Sequence, residues 1–449
     1  MPNLSKLVNK HTISLATSAA MPVIGMLVLS LMAHNLSAPE FGNYIFLLVT
    51  ILLADTFRNG FVQTPLIKFY AGTGMKTSAE VAGSAWFVGF MQALVFVGVD
   101  AIVYFVYRSK SADAETTIQW FGIIYMTTLP GAIASYILQA EEKFGRMLML
   151  QVINQGLFFI FILALILVHK ISFQTAVYAY FLGSAVTSIF AIFSGWAKMF
   201  YIRFRTKEMI SKLAHFGKFS VGTSISSYLL RSSDTFIIKL MFNPALLAVY
   251  YIPQRLMEIF EIPLRAGVAT GLPELSAAVH KGDDADVARI MKRYAGMLTV
   301  ALVPIAIVAF LLAKVGIAIL FGKQYHESEA VNIFRLFMCY VMLMPIDRFF
   351  GITLDIINKP QLNMIKVIIM LVVNVAGDFI GIWIFHSLYA VAIASLFTFF
   401  AGTLFGYWAL KRHLKFTISD IFSLGIQGIK DVISHLMEKS KPVTGEKQA

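Results

Sequence analysis

The sequence predicts an all-α polytopic membrane protein with about twelve transmembrane helices, arranged as two six-helix lobes related by a parallel repeat. Three observations lead there. Of 449 residues, 58% are hydrophobic and only 14% charged, whereas a soluble globular domain carries about 45–50% apolar and about 25% charged residues. Too little polar surface remains to cover so much apolar surface in water, so lipid is the solvent that resolves it. Apolar runs long enough to cross hydrocarbon recur along the chain, and the basic residues gather in alternate short connections between them.

A helix needs about 20 mainly apolar residues to cross a bilayer. Such runs lie at 11–32, 41–62, 81–107, 117–139, 149–168, 172–195, 217–242, 248–272, 295–320, 331–354, 363–385 and 388–410. The runs at 217–242 and 248–272 are the weakest, because both contain charges. The stretch after the polar, basic residues 1–10 is too long for the apolar part of a signal peptide and lacks a clear cleavage site, so the first helix is expected to be retained.

One set of alternate connections holds Lys6, Lys10, Lys68, Lys76, Lys143 and Arg146, then Lys198, Arg203, Arg205, Lys207 and Lys212. It continues with Lys281, Arg289, Lys292, Arg293, Lys359, Lys411, Arg412 and Lys415. The opposite set holds little beyond Arg108, Lys110, Lys170 and Lys323. This asymmetry predicts that both termini are cytoplasmic. It also accounts for the net charge of +12 without a nucleic-acid partner. The one cysteine, Cys339, forms no internal disulfide, and no zinc-ligand spacing occurs.

Two segments read as lying outside the membrane. Residues 276–293 contain Gly282-Asp283-Asp284 and then a basic helical stretch. In 417–438, Ile418, Ile421, Phe422, Ile429, Val432, Ile433 and Leu436 share one helical face, opposite Asp420, Lys430, Asp431 and Glu438. That pattern predicts an amphipathic helix at the membrane interface, followed by a disordered tail over 440–449.

The longest basic connection, 197–216, divides the chain into lobes at 1–200 and 201–415, with the amphipathic helix and tail at 416–449. Weak self-similarity supports the division. Shifted by 206 residues, Tyr44 falls on Tyr250, Asp55 on Glu261 and Thr64 on Thr270; shifted by 215, Pro130 falls on Pro345, and by 216, Lys143 on Lys359. Six helices per half preserve orientation, which makes the repeat parallel, with an expected substrate path between the halves.

No Walker loop, metal-spaced His/Cys cluster or nucleophile elbow appears, so neither an enzyme nor a bound cofactor is expected. The informative residues are charges inside apolar runs, where each costs a few kcal/mol. Asp55 and Arg58 lie three apart, as do Arg231 and Asp234. Arg255, Glu258, Glu261 and Arg265 follow at spacings of three, three and four along one broad face. Asp347 and Arg348 are adjacent, Asp378 lies in the eleventh run, and Asp100 has no local partner in sequence. One reading is a hydrated cavity in which Arg58, Arg231, Arg255, Arg265 and Arg348 bind an anionic substrate through bidentate bonds. Asp55, Asp234, Glu258 and Glu261 would then hold the coupling ion. The other reading is that these acids and bases pair off and fix helix packing.

The segments 37–69, 216–260, 271–294, 320–337 and 358–382 carry a family resemblance. Its most specific pieces are Gly42 with Tyr44, Pro273-x-Leu275-Ser276 leading to Gly282-Asp283, Gly322 with Tyr325, and Asn374. In their order and spacing these resemble the polysaccharide-biosynthesis, Wzx-type oligosaccharide flippase branch of the multidrug/oligosaccharidyl-lipid/polysaccharide exporter superfamily, over roughly residues 5–415. Ala248 departs from it, standing where a glycine is usual, and so does 386–394, which lacks the usual Gly-rich start. The resemblance implies a two-lobed bundle with alternating access in a bacterial inner membrane. The implied cargo is an undecaprenyl-pyrophosphate-linked oligosaccharide, a polysaccharide precursor such as that of lipopolysaccharide, with membrane lipid and other glycan-assembly proteins as partners. A cation-coupled multidrug exporter of the same superfamily is the alternative, and a membrane enzyme of glycan assembly a more distant one.

Overall fold

The computed structural model describes residues 10–107 and 112–439. Lys6, Arg108, Lys110 and the tail at 440–449 lie outside the described residues. The helices run α1 Lys10–Asn35, α2 Ala38–Arg58, a π turn Asn59–Gln63, α3 Thr64–Tyr70, α4 Met75–Tyr107, α5 Ala112–Thr127, α6 Leu129–Ala140, α7 Phe144–Leu167 and α8 Phe173–Phe193. After a 3₁₀ segment Met199–Phe204 come α9 Lys207–Met241, α10 Pro244–His280, α11 Asp284–Phe321, α12 Ala330–Val341, α13 Leu343–Ile356, α14 Pro360–Phe385, α15 Leu388–Lys411 and α16 Asp420–Lys439.

Joining α2 with α3, α5 with α6, and α12 with α13 leaves twelve rods plus α16 among the described residues, one rod for each apolar run in the sequence. Eight are long and apolar enough to cross a membrane unaided, and the bent α12–α13 pair makes up to nine. The charged α9 and α10 are not among them. The chain is a multi-pass membrane protein.

Proline sets the breaks. In α12–α13 the axis bends by 48° at Met342, just ahead of Pro345, which cannot donate to the carbonyl four residues back. The α5–α6 joint at Thr128 is likewise followed by Pro130. These are the two prolines that the internal repeat superposes. Left-handed residues recur in the same way: Gly72 with Gly282, Glu142 with Asn358, and His169 with His386. Three pairs of turns at matched places make a chance origin of the repeat hard to sustain.

By packing, the chain divides into two units. The first holds the chain up to Ala248 together with Leu320–Gln324. Within it α9 packs on α2, the π turn and α4. The second holds Val249–Ile319 and the residues from Tyr325 on. Its apolar core gathers Leu275, Met291, Phe349, Phe350, Leu410 and Ile421 from five helices. Ile421 belongs to α16, so this helix does more than float at an interface as its amphipathic pattern suggested. A Cβ on Gly296 would lie 1.9 Å from the Ile421 carbonyl oxygen, and one on Gly425 would lie 2.3 Å from the Gly296 carbonyl carbon. Backbone therefore meets backbone along the seam, with Lys292–Asp420 at 3.4 Å and Arg293–Asp431 at 3.8 Å beside it. Phe422 and Ile426, each about half exposed, remain on the outer face of α16.

Candidate functional site

The first unit centres its polar groups on the break in the second rod. Pro65 sits at the start of α3 and cannot bond back to Phe61, and the helix relaxes into the π turn just before it. Two glycines let α9 approach there. A Cβ on Gly60 would be 2.7 Å from Val221 Cα, and one on Gly217 would be 2.7 Å from the Phe61 oxygen. One turn above, Arg58 is 3% exposed and ion-paired to Asp55. Its Nη1 donates to the Tyr125 carbonyl at 3.3 Å and to Thr128 Oγ1 at 3.1 Å, and the guanidinium lies 4.7 Å from the Tyr125 ring centroid. The Asp55 side chain keeps 26% of its surface open.

Below this pair the contacts continue toward the basic end of the rod. The Tyr136 hydroxyl donates to Asn59 Oδ1 at 2.6 Å, and Gln63 Nε2 donates to Gln139 Oε1 at 2.9 Å. At the end, the Tyr70 hydroxyl donates to Glu141 Oε1 at 2.7 Å, and Lys198 Nζ reaches both at 2.6 and 2.5 Å. Lys143 holds the other Glu141 oxygen at 2.6 Å. Burial pushes the Glu141 carboxyl up, but the bonds from Lys143, Lys198 and Tyr70 outweigh it and hold the group at about 2.

Several of the charged residues singled out in the sequence meet their partners within one helix. On α10, Arg255 pairs with Glu258, and Arg265 Nη2 lies 2.7 Å from Glu261 Oε2. Four charges thus become two neutral pairs. The Arg265 side chain remains 61% exposed and that of Arg255 only 19%. On α9, Asp234 is buried and Arg231 exposed. Asp347 bonds not to its exposed neighbour Arg348 but to Lys366 of α14. The Lys366 ammonium reaches the Asp347 carboxylate at 2.8 Å and the Asp347 carbonyl at 2.9 Å while almost wholly buried. Asp100 accepts from the Gly122 N–H at 3.0 Å. On α14 and α15, Thr398 donates to Asn374 at 3.0 Å and Asn374 to Asp378 at 3.3 Å, all three buried. Among the described residues no group of His, Cys, Asp and Glu is arranged to hold a metal ion.

The sequence profile of a polysaccharide biosynthesis protein family matches residues 31–330. The chain belongs to this family. No curated protein matches it in sequence. The fold of this polysaccharide biosynthesis protein is shared with solved transporters. One is titled lipid II flippase MurJ in an inward closed conformation, with TM-score 0.72, 14% identity, and coverage of 96% of this chain and 93% of that one. Another is a multidrug resistance MATE family transporter of the MOP superfamily, inward-facing, with TM-score 0.66, 16% identity, and coverage of 90% and 96%. A MOP superfamily transporter from Pyrococcus furiosus Vc1 follows, with TM-score 0.58, 17% identity, and coverage of 92% and 94%. At these identities the likeness establishes the fold. These neighbours are themselves a flippase and transporters.

In this polysaccharide biosynthesis protein the charged pairs can do two things. Arg58, paired with Asp55 and donating to the Tyr125 carbonyl and Thr128 Oγ1, fixes α2 to the α5–α6 joint. Asp55 keeps an open flank, and the side chains of Arg231, Arg265 and Arg348 are exposed. Lys366 and Glu141 escaped notice in the sequence. The first is a lone cation near the end of an apolar run; the second sits in a short connection where every charge reads as solvated. The available signal for Lys366 was its place inside the run that opens at 363 rather than in the connection before it.

Proposed function

We propose that the protein flips a lipid-linked oligosaccharide, an undecaprenyl-pyrophosphate-linked polysaccharide precursor, across a bacterial cytoplasmic membrane. The observation that carries this reading is the polysaccharide biosynthesis profile over residues 31–330 on a fold shared with a lipid II flippase. The lobes at 1–200 and 201–415 would alternate access to a central site, with both termini in the cytoplasm and 416–449 beside them. The recurring prolines and left-handed turns support two equivalent halves. Arg231, Arg255, Arg265 and Arg348 are the proposed anion ligands, with Arg58 organising Asp55; Asp55, Asp234, Glu258 and Glu261 are the proposed ion-coupling carboxylates. Exposure favours Arg265, Arg231 and Arg348 among the cations, because a bidentate bond to phosphate needs an open guanidinium.

Deletion of the gene should abolish surface glycan while the precursor accumulates on the cytoplasmic leaflet. Normal outward export in the deletion strain would sink the reading. Arg265→Ala should leave membrane abundance unchanged and reduce surface glycan; normal export by a normally abundant variant removes Arg265 from the path. The shared fold with a multidrug transporter favours a cation-coupled drug exporter as the second reading. Specific sensitisation of the deletion strain to organic cations, with intact surface glycan, would select it.

A further inference from the structure

The polar side chains of the second rod form one stripe. Asp55, Asn59 and Gln63 follow at four-residue steps, and Tyr70 closes the stripe at the basic end. Each level has a partner on the neighbouring rod or just beyond it: Tyr125 and Thr128 through Arg58, then Tyr136, Gln139 and Glu141. Asn59, Gln63 and Gln139 are half-buried, so the seam keeps one open edge. Four α-helical residues rise about 6 Å, and the π turn from Asn59 to Gln63 advances somewhat less. A water bonded at about 2.8 Å on each side spans about that distance. One water between successive levels, and two over the longer step from Gln63 to Tyr70, would join them into a continuous hydrogen-bonded chain.

In the other direction the stripe is dry. Four and eight residues before Asp55 stand Ile51 and Leu47, each 1% exposed, with Tyr44 at 3% beyond them. Along its own helix Asp55 therefore meets polar residues only toward the basic end. The groups that face it are Arg58 on its own helix, Tyr125 on α5, Tyr136 on α6 and Tyr180 on α8. On α9, Tyr228 is spent on the Val49 carbonyl at 2.7 Å, and Arg231 and Asp234 follow one and two turns along.

We propose that this seam is a one-sided proton path joining Asp55 to the compartment that bathes the basic face of Lys143 and Lys198. It rests on the reading of Asp55 as a coupling carboxylate, and it adds the route and the side. A proton enters at the Glu141 end, passes along the seam waters and binds the Asp55 carboxylate; it leaves by the same way. Only O–H bonds form and break, and the ion pair with Arg58 loosens while the proton is bound. Asn59, Gln63, Tyr136 and Gln139 order the water and carry no charge themselves.

Dicyclohexylcarbodiimide reacts with protonated carboxyls in membranes and requires no transported substrate, so the test is independent of what the protein carries. Full-length protein is reconstituted in vesicles, its orientation read from labelling of exposed Lys76 by a membrane-impermeant amine reagent. Adduct formation at Asp55 is followed by mass spectrometry after a pH step on one side. Labelling should follow the pH of the basic-face compartment and ignore the other. Gln63→Leu/Gln139→Leu should slow the response by about tenfold, as a dry gap adds to the barrier. Tyr136→Phe, which removes one hydroxyl and little volume, should slow it as well and serves if the double variant fails to fold. Labelling that follows the opposite compartment, absence of an Asp55 adduct at any pH, or an unchanged response in a folded variant overturns the proposal.

Discussion

Arg58→Met tests whether the polar centre of the first unit is held by its buried cation. The substitution keeps length and apolar bulk and removes the guanidinium. Lost with it are the ion pair to Asp55, two bonds to the Tyr125 carbonyl and Thr128 Oγ1, and the stacking on the Tyr125 ring. Removing one partner of a buried pair costs about 3–5 kcal/mol, because the other charge is left uncompensated. Asp55 keeps 26% of its side-chain surface open, so solvent relieves part of that, and the lower end, about 3 kcal/mol, is expected. That is more than a hundredfold in the folding equilibrium. The assay is reversible unfolding in mixed micelles, run beside Asp55→Asn and the double variant. The double variant should recover about 1 kcal/mol or more relative to the sum of the singles. An Arg58→Met protein within about 0.5 kcal/mol of the parent would refute the argument. A normally stable variant that fails only in export would move Arg58 from architecture to the substrate path.

Lys366→Met should destabilise by about 3–5 kcal/mol through the stranded Asp347 carboxylate, and Lys366→Met/Asp347→Leu should recover much of it; melting of detergent-purified protein reads both, and a harmless single variant sinks the idea. The Glu141 carboxyl, held at about 2 in the fold, contributes stability that is complete above its ordinary value near 4.5 and lost as pH falls toward 2. Melting temperature should therefore lose a Glu141-dependent share only below about pH 4.5, and Glu141→Gln should remove that share at neutral pH. Gly217→Ala drives a methyl to 2.7 Å from a backbone oxygen of the π turn and should cost about 1–3 kcal/mol. Gly222→Ala on the same helix meets nothing within 4 Å and should be neutral or stabilising by up to about 1 kcal/mol; equal effects at the two positions would contradict the close approach of α9.

The helical rods were legible because their signal is long-range and redundant: each needs some twenty apolar residues, and a charge or two does not erase it. Even the weak runs at 217–242 and 248–272 proved to be helices, α9 and α10, and the charges of the second pair off within the helix. Pro130 and Pro345 were visible as a repeat match, and the structure adds that each follows a helix break. The polar seam was not legible. A scan for charge finds Asp55 and Arg58 and stops, because Asn59, Gln63, Tyr136 and Gln139 cost too little hydropathy to interrupt a run. The four-residue spacing from Asp55 to Gln63 was the available clue. Arg58 offered a local partner three residues away, which hid its bonds to residues 67 and 70 positions distant. The face of α16 that packs was hidden for a different reason: its inner seam is made by Gly425 and Gly428 beside Ile421, and glycine carries no hydropathy signal.

The π turn at Asn59–Gln63 amounts to one residue more than an uninterrupted α-helix would hold over the same length. Each residue turns a helix by about 100° and advances it by 1.5 Å. Excising that one residue would leave an ordinary α-helix of the same length, so Asp55 above it and Lys68 and Tyr70 below it would keep their places. What would be lost is the wide turn against which α9 packs at Gly217 and Val221. The fit of α9 is thus stored partly as chain length, and a one-residue gap among relatives would remove it with every polar residue of the seam still present.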